Sequence, residues 1–267
     1  MLPHLVQIGG FYLPTYGVLV ATAFLAAVWL SGRLGQAAGL DRETVINLGI
    51  YTALAGVAGA KLLMVVLDFK MYYDSPGELF SLATLQAAGI FYGGLIAALI
   101  VGWWYIRRKK LPLWRTMDVF APAIALGHGI GRLGCFSAGC CWGVETHGPF
   151  AVTFTDPEAS RFGTPLGVPL HPTQLYEAFG EFAIFGLLLW YFRRPHRDGQ
   201  LIGLYLMLYS GLRFVVEFVR DHVEPYPWDG PLSDDQWISA GLFAVGLAIF
   251  RMTRSPKPAP AVLPSRR

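Results

Sequence analysis

The sequence predicts an all-α polytopic membrane protein with seven transmembrane helices, the amino terminus outside, the carboxyl terminus inside and a small outer cap between helices four and five. Three observations carry this. Apolar stretches of spanning length recur along the whole chain. Of 267 residues 54% are hydrophobic and 15% charged, with a mean hydropathy of +0.45, where a soluble domain holds about 25% charged residues. The basic residues gather in alternate connections.

The predicted spans cover residues 16–30, 46–67, 82–106, 117–136, 174–192, 201–219 and 236–250. Each is near the length that carries a helix through about 30 Å of hydrocarbon. The first follows Pro14 and an aromatic pair, and no basic residue precedes it as in a cleavable signal, so it is expected to remain in the mature protein. Orientation follows from Lys and Arg. Arg33 and Arg42 lie between spans one and two, Arg107 through Lys110 and Arg115 between three and four, and Arg193, Arg194 and Arg197 between five and six; Arg251, Arg254, Lys257, Arg266 and Arg267 end the chain. The opposite connections hold Lys70, Arg161 and Arg220. That asymmetry puts the first set in the cytoplasm. It also accounts for the net charge of +3, and no nucleic-acid partner is expected.

The one long connection, about residues 137–173, is outer and rich in Gly and Pro, with Phe150-Ala-Val-Thr-Phe154 as a strand-like run. Residues 1–254 are read as a single membrane domain and 255–267 as a disordered cytoplasmic tail.

Polar residues inside the spans converge at one depth. At about 1.5 Å per residue, Arg132 stands about 25 Å beyond Arg115, near the outer end of helix four, with His128 one turn deeper on the same face. Helix six carries Tyr209, Arg213 and Glu217 at i, i+4, i+8. His171, Gln174, Tyr176, Glu177 and Glu181 open helix five, Lys61 rises on helix two and Tyr16 starts helix one. A charge at that depth costs at least about 2.5 kcal/mol, so such groups pair or do chemistry. Structural pairing would join Arg213 to Glu217, and Lys61 or Arg132 to Glu177. The whole cluster instead suits a lipid phosphate, because the arginine fork matches phosphate oxygens.

Gly129, Gly131 and Gly134 spell G-x-G-x-x-G, but no strand precedes them, so close helix contact through Gly127-x-x-x-Gly131 and Gly139-x-x-x-Gly143 is the expected use. Cys135, Cys140 and Cys141 match neither a Cys-x-x-Cys redox motif nor a standard zinc site. An oxidising compartment would allow a Cys135–Cys140 disulfide; buried free thiols are the other reading.

Taken together the motifs resemble those of the bacterial prolipoprotein diacylglyceryl transferases: Tyr16-Gly17, Phe91-Tyr-Gly-Gly-Leu-Ile96, Gly131-Arg-Leu-Gly-Cys-Phe136 through Gly143, His171-Pro-Thr-Gln-Leu-Tyr-Glu177, and Tyr209-Ser-Gly-Leu-Arg-Phe-Val-Val-Glu217. The resemblance implies a seven-helix inner-membrane enzyme with its active site toward the outer leaflet. It would move the diacylglyceryl group of phosphatidylglycerol onto the thiol of a lipobox cysteine in a prolipoprotein signal peptide, releasing glycerol phosphate, with no cofactor and no metal. Arg132 and Arg213 would hold the phosphodiester, and Tyr16, Tyr209 and Glu217 would orient the headgroup. His171, Gln174 and Glu177 would brace the mouth, with Gly93, Gly94, Gly143 and Lys61 completing the substrate-binding set. The family commonly has His-Gly-Gly where this chain has Tyr92-Gly93-Gly94, and asparagine where it has Cys135. His128 is therefore expected to supply or relay base function, since an imidazole suits a thiol proton near neutral pH, with Tyr92 hydrogen-bonding the lipid or leaving group. Other readings stand beside this one: a related transferase with a different acceptor, a non-catalytic lipid-binding or transport protein, and a membrane thiol oxidoreductase. The absence of repeated halves weighs against transport, and the absence of Cys-x-x-Cys against the oxidoreductase.

Overall fold

The computed structural model describes residues 3–8, 11–81, 84, 89–221 and 230–253. Helices dominate. They are α1 (Thr15–Ala37), α2 (Arg42–Leu67), the short α3 (Phe69–Asp74), α4 (Phe91–Arg108), α5 (Leu113–Ala138), α6 (Thr173–Phe192), α7 (Gln200–Val216) and α8 (Asp234–Met252). A 3-10 turn, Glu217–Val219, extends α7. By length and composition α1, α2, α5, α6 and α7 with its extension are able to cross a membrane. The helices at the third and seventh predicted spans, α4 and α8, have 18 and 19 residues.

Local signals fix the helix ends. Asp41 caps α2 by accepting from Thr44 N at 2.8 Å, and hydrogen bonds from the Thr44 hydroxyl and backbone hold its carboxyl below the ordinary carboxylate range. Ser233 and Gln236 form a reciprocal capping box at α8. Pro112 and Pro172 precede α5 and α6. At the amino end of α7 the cap comes from another helix. The buried Asp118 of α5 accepts from Gly199 N at 2.6 Å and from Ile202 N at 2.9 Å.

The bundle is built from α1 against α5, α2 against α4, α5 against α6 and α7 against α8. Backbones approach closely where side chains vanish. A Cβ on Gly59 of α2 would stand 2.5 Å from the Gly93 carbonyl of α4, and one on Gly246 of α8 would stand 2.8 Å from the Gly203 carbonyl of α7. The interior is small-residue and aliphatic, with Ala121, Ala125, Leu188 and Leu201 fully buried. Large apolar side chains such as Leu25, Leu54, Leu62, Ile100 and Val215 instead point outward, as expected where the surroundings are hydrocarbon.

Short connections between α1 and α2, α4 and α5, and α6 and α7 gather at one end. There Arg33 lies over Trp29, Arg107 over Trp103 and Arg194 over Trp190, at 4.6, 4.2 and 5.1 Å from the ring centroids. At the other end sits a small cap. Strands β3 (Val152–Thr153) and β4 (Pro169–Leu170) pair antiparallel, realising the strand-like run, and cover Phe154, Ala159 and Leu170.

Several expectations are corrected. Ahead of the first span, β1 (His4–Ile8) and β2 (Phe11–Pro14) pair antiparallel, an element that the sequence reading did not include. Arg33 and Arg115 lie within helices, because amphipathic ends extend α1 and α5 beyond their apolar stretches. Helix α4 begins at Phe91, after the left-handed Gly89; residues 82, 83 and 85–88 and the tail from 254 lie outside the described residues. Of the two small-residue pairs, Gly127 does pack against Ala23 and Ala27 of α1, whereas Gly131 faces open space. Gly139 adopts φ 79° and ends α5, so its use is to turn the chain.

Candidate active site

The carboxyl end of α5, the amino end of α6 and the carboxyl end of α7 meet beneath the cap. Each brings one face of polar side chains. On α5 these are His128 and Arg132, one turn apart; on α6 Gln174, Glu177 and Glu181, at i, i+3, i+7; on α7 Tyr205, Tyr209, Arg213 and Glu217, at steps of four.

Arg132 Nη2 lies 2.6 Å from Glu177 Oε2, a close ion pair without hydrogen-bond alignment, and Arg132 Nε donates to His128 Nε2 at 3.2 Å. A guanidinium only donates, so His128 Nε2 accepts and Nδ1 carries the hydrogen, donating to Glu181 Oε1 at 2.7 Å. The His128 ring also packs edge-on against Tyr209, centroids 5.4 Å apart. Arg213 pairs with Glu217 through Nη1 and with Asp235 Oδ2 through Nη2 at 2.6 Å, while Ser233 Oγ donates to Glu217 Oε1 at 3.0 Å. Arg220 reaches Glu177 Oε1 at 3.3 Å. Glu177 therefore sits between two guanidinium groups.

Two features leave this cluster open to a ligand. Among the described residues, hydrogen bonds account for one of the five N–H donors of Arg132, beside its ion pair, and for two of those of Arg213. Conversely Gln174 Oε1 and Glu181 Oε2 are buried and accept no hydrogen bond among the described residues, while Glu177 Oε2 is held by its ion pair with Arg132. An unsatisfied buried acceptor costs about 1–3 kcal/mol, so the two on α6 favour donors from outside the described residues.

The cap holds the mouth in shape. Gly143 bridges Arg220, and Gly143 N donates to the His171 carbonyl at 2.9 Å; a Cβ on Gly143 would collide with the Val219 carbonyl. His171 Nδ1 is 3.0 Å from the Tyr176 hydroxyl. Gln174 Nε2 and Thr173 Oγ1 donate to the carbonyls of Cys140 and Cys141, each at 2.6 Å. Tyr16 packs beside Gly134, within electrostatic reach of Arg132 and the three cysteines, which are free and half-buried.

The structure thus brings together Tyr16, His128, Arg132, Gly143, His171, Gln174, Glu177, Tyr209, Arg213 and Glu217. Both anticipated pairings, Arg213 with Glu217 and Arg132 with Glu177, are present. Four sequence-predicted residues have their described contacts elsewhere. Lys61 Nζ donates to the Thr84 carbonyl at 2.5 Å, Gly93 and Gly94 pack on α2, and Tyr92, 58% exposed, has its ring against Phe91. Arg220, Ser233 and Asp235 were missed by sequence reasoning. Only the count of charges just beyond helix ends would have pointed to them.

Polar side chains buried at one end of a helical bundle whose exterior is apolar, with five helices long and apolar enough to span, define a multi-pass membrane protein. The chain belongs to the prolipoprotein diacylglyceryl transferase family, whose description matches residues 3–252. It is 34% identical over 257 residues to the phosphatidylglycerol–prolipoprotein diacylglyceryl transferase of Clostridium tetani, covering 96% of this chain and all of that protein. It is similar to the proteins of the same name from Bordetella avium (35% over 262 residues, 94% of each chain) and Photobacterium profundum (34% over 243 residues, 90% of this chain and 86% of that one).

Proposed function

We propose that this protein transfers the diacylglyceryl group of phosphatidylglycerol to the thiol of a lipobox cysteine in a prolipoprotein, releasing glycerol phosphate. The observation that carries the reading is the set of Arg132 and Arg213 donors not used among the described residues, in the same buried cluster as the unpaired acceptors Gln174 Oε1 and Glu181 Oε2 on α6. A phosphodiester offers anionic oxygens to the first, and the headgroup glycerol offers two hydroxyl donors to the second. In this reading residues 1–254 form one domain of seven spans in the bacterial inner membrane, amino terminus outside, with the cluster in the outer leaflet.

The chemistry needs the acceptor sulfur to attack the glyceryl carbon that carries the phosphate. The C–S bond forms, the C–O bond breaks, and the electron pair leaves on glycerol phosphate. Arg132 and Arg213 stabilise the charge that grows on the leaving oxygens, where their N–H groups are already held in place. Tyr16 and Tyr209 orient the headgroup, and Glu217 and Asp235 fix the Arg213 fork. The thiol proton goes to His128, whose Nδ1–H is anchored on Glu181. As Arg132 turns onto phosphate it releases Nε2 for that proton. Tyr92, Gly93, Gly94 and Lys61, on the α2–α4 pair, serve the lipid body in this scheme.

Incubating the purified protein with headgroup-labelled phosphatidylglycerol and a lipobox peptide tests it. Peptide lipidation and labelled glycerol phosphate are expected in equal amounts. Lipid binding without either product would make the protein a lipid-binding relative and sink the proposal.

A further inference from the structure

Helix α5 ends at Gly139, and the left-handed turn there folds the chain back so that Cys140 N donates to the Cys135 carbonyl at 3.1 Å. Cys141 follows in the left-handed region at φ 63°, unusual for a residue with a Cβ. The result is that the Sγ atoms of Cys135, Cys140 and Cys141 all lie within 4.8 Å of one another. The Cys140 and Cys141 carbonyls are tied to Gln174 and Thr173 of α6, so the turn is braced against a second helix. All three thiols are free and only half-buried, hence open to an ion from outside.

Three sulfurs around a zinc ion at about 2.3 Å stand about 3.8–4.0 Å apart, so side-chain rotation that draws the cluster in by less than about 1 Å completes a trigonal base. No histidine or carboxylate joins the group within the same limit among the described residues, which leaves the fourth position without a protein ligand. Closed zinc sites use four protein ligands; three with an open position is the arrangement that binds a reacting group. Arg132 is one turn from Cys135 on α5, and Arg132 and Arg220 are both within electrostatic reach of Cys141. Two guanidinium groups offset the single net negative charge of a trithiolate zinc centre.

We propose that Cys135, Cys140 and Cys141 form a trithiolate zinc site whose open fourth position binds the acceptor thiol of the lipobox peptide, an inference that rests on the transferase reading above. The acceptor S–H bond breaks as the S–Zn bond forms, and its proton passes to His128. The bound thiolate then forms the C–S bond to the glyceryl carbon as the C–O bond breaks. The thioether product is a poor zinc ligand and leaves. The metal-free site that the family resemblance implies does not take account of these three cysteines and their fold-back geometry.

The test uses the full-length protein in detergent. Elemental analysis after zinc loading and desalting is expected to give one zinc per chain in wild type and a large loss in Cys135→Ser, Cys140→Ser and Cys141→Ser. Cobalt(II) loaded in place of zinc is expected to give a thiolate charge-transfer band that strengthens when a lipobox peptide is added, and not when its cysteine is replaced by serine. A thiol near pKa 8.5 is only about 3% ionised at neutral pH, so stripping zinc from folded wild type should slow transfer at least about tenfold, restored by added zinc. Chelation of the wild type keeps the test valid if a variant misfolds. Zinc content no higher than in the serine variants, or a chelated enzyme with full rate, overturns the site. A peptide-responsive cobalt band in a protein that transfers no lipid would overturn the transferase reading and leave the site standing.

Discussion

Arg132 makes its contacts through two nitrogens of the guanidinium fork, Nε to His128 and Nη2 to Glu177. Lysine keeps the charge and loses that fork, so Arg132→Lys is expected to lower kcat/KM for phosphatidylglycerol by at least about tenfold, and Arg132→Ala more; wild-type kinetics in Arg132→Lys would refute the phosphate role. Arg220 touches the same carboxylate from the cap side. Its removal leaves Glu177 paired with Arg132 alone, so Arg220→Ala should raise KM several-fold with the fold intact, which steady-state kinetics at varied lipid would resolve. The sequence made His128, Arg132, Glu177, Arg213 and Glu217 legible, because a charge inside an apolar stretch stands out and helical spacing places it. Arg220, Ser233 and Asp235 were not legible. They lie at or beside helix ends, Asp235 in the first turn of α8, where polar residues are ordinary, and only the folded cap and the α7–α8 pairing bring them inward.

The spanning helices were readable from apolar length, but the caps at Asp41, Pro112, Pro172 and Ser233, which start α2, α5, α6 and α8 ahead of the predicted spans, were not read. What periodicity does not reveal is where a glycine serves a turn and where it serves a crossing. Gly127 packs on α1 while Gly139 ends its helix, although both begin a G-x-x-x-G pair. The amino-terminal strand pair was not read, because strands of five and four residues give too short an alternation to stand out. Gly143 allows the closest approach of cap and bundle, with the Val219 carbonyl where a Cβ would be. Gly143→Ala should therefore push the Arg220 strand away, destabilise the protein by about 1–3 kcal/mol and cut activity more than Gly131→Ala, which enters open space. Thermal unfolding in detergent read beside turnover checks this; equal effects of the two changes would speak against it.

At the scale of the molecule, the sequence's basic asymmetry and the structure's two ends agree. Arg33, Arg107 and Arg194, each over a tryptophan one turn earlier, ring the end opposite the cluster. Such belts mark a membrane interface. In the proposed orientation, amino terminus outside, a single cysteine at Lys110 on a cysteine-free background should resist an impermeant thiol reagent in intact cells, and one at Thr146 in the cap should react. The reverse pattern would invert the topology. Asp118 adds a consequence in time. The chain emerges from the ribosome in order, so the amino end of α7 is made about 80 residues after the carboxylate that caps it. Until α5 is in place, Gly199 N and Ile202 N have no acceptor there, and each such orphan costs about 1–3 kcal/mol. Asp118 is thus a latch that closes late, joining the second half of the bundle to the first. Asp118→Ala should prolong a protease-sensitive stage of maturation in pulse-chase experiments, with nascent chains cut between α6 and α7 for longer than in wild type.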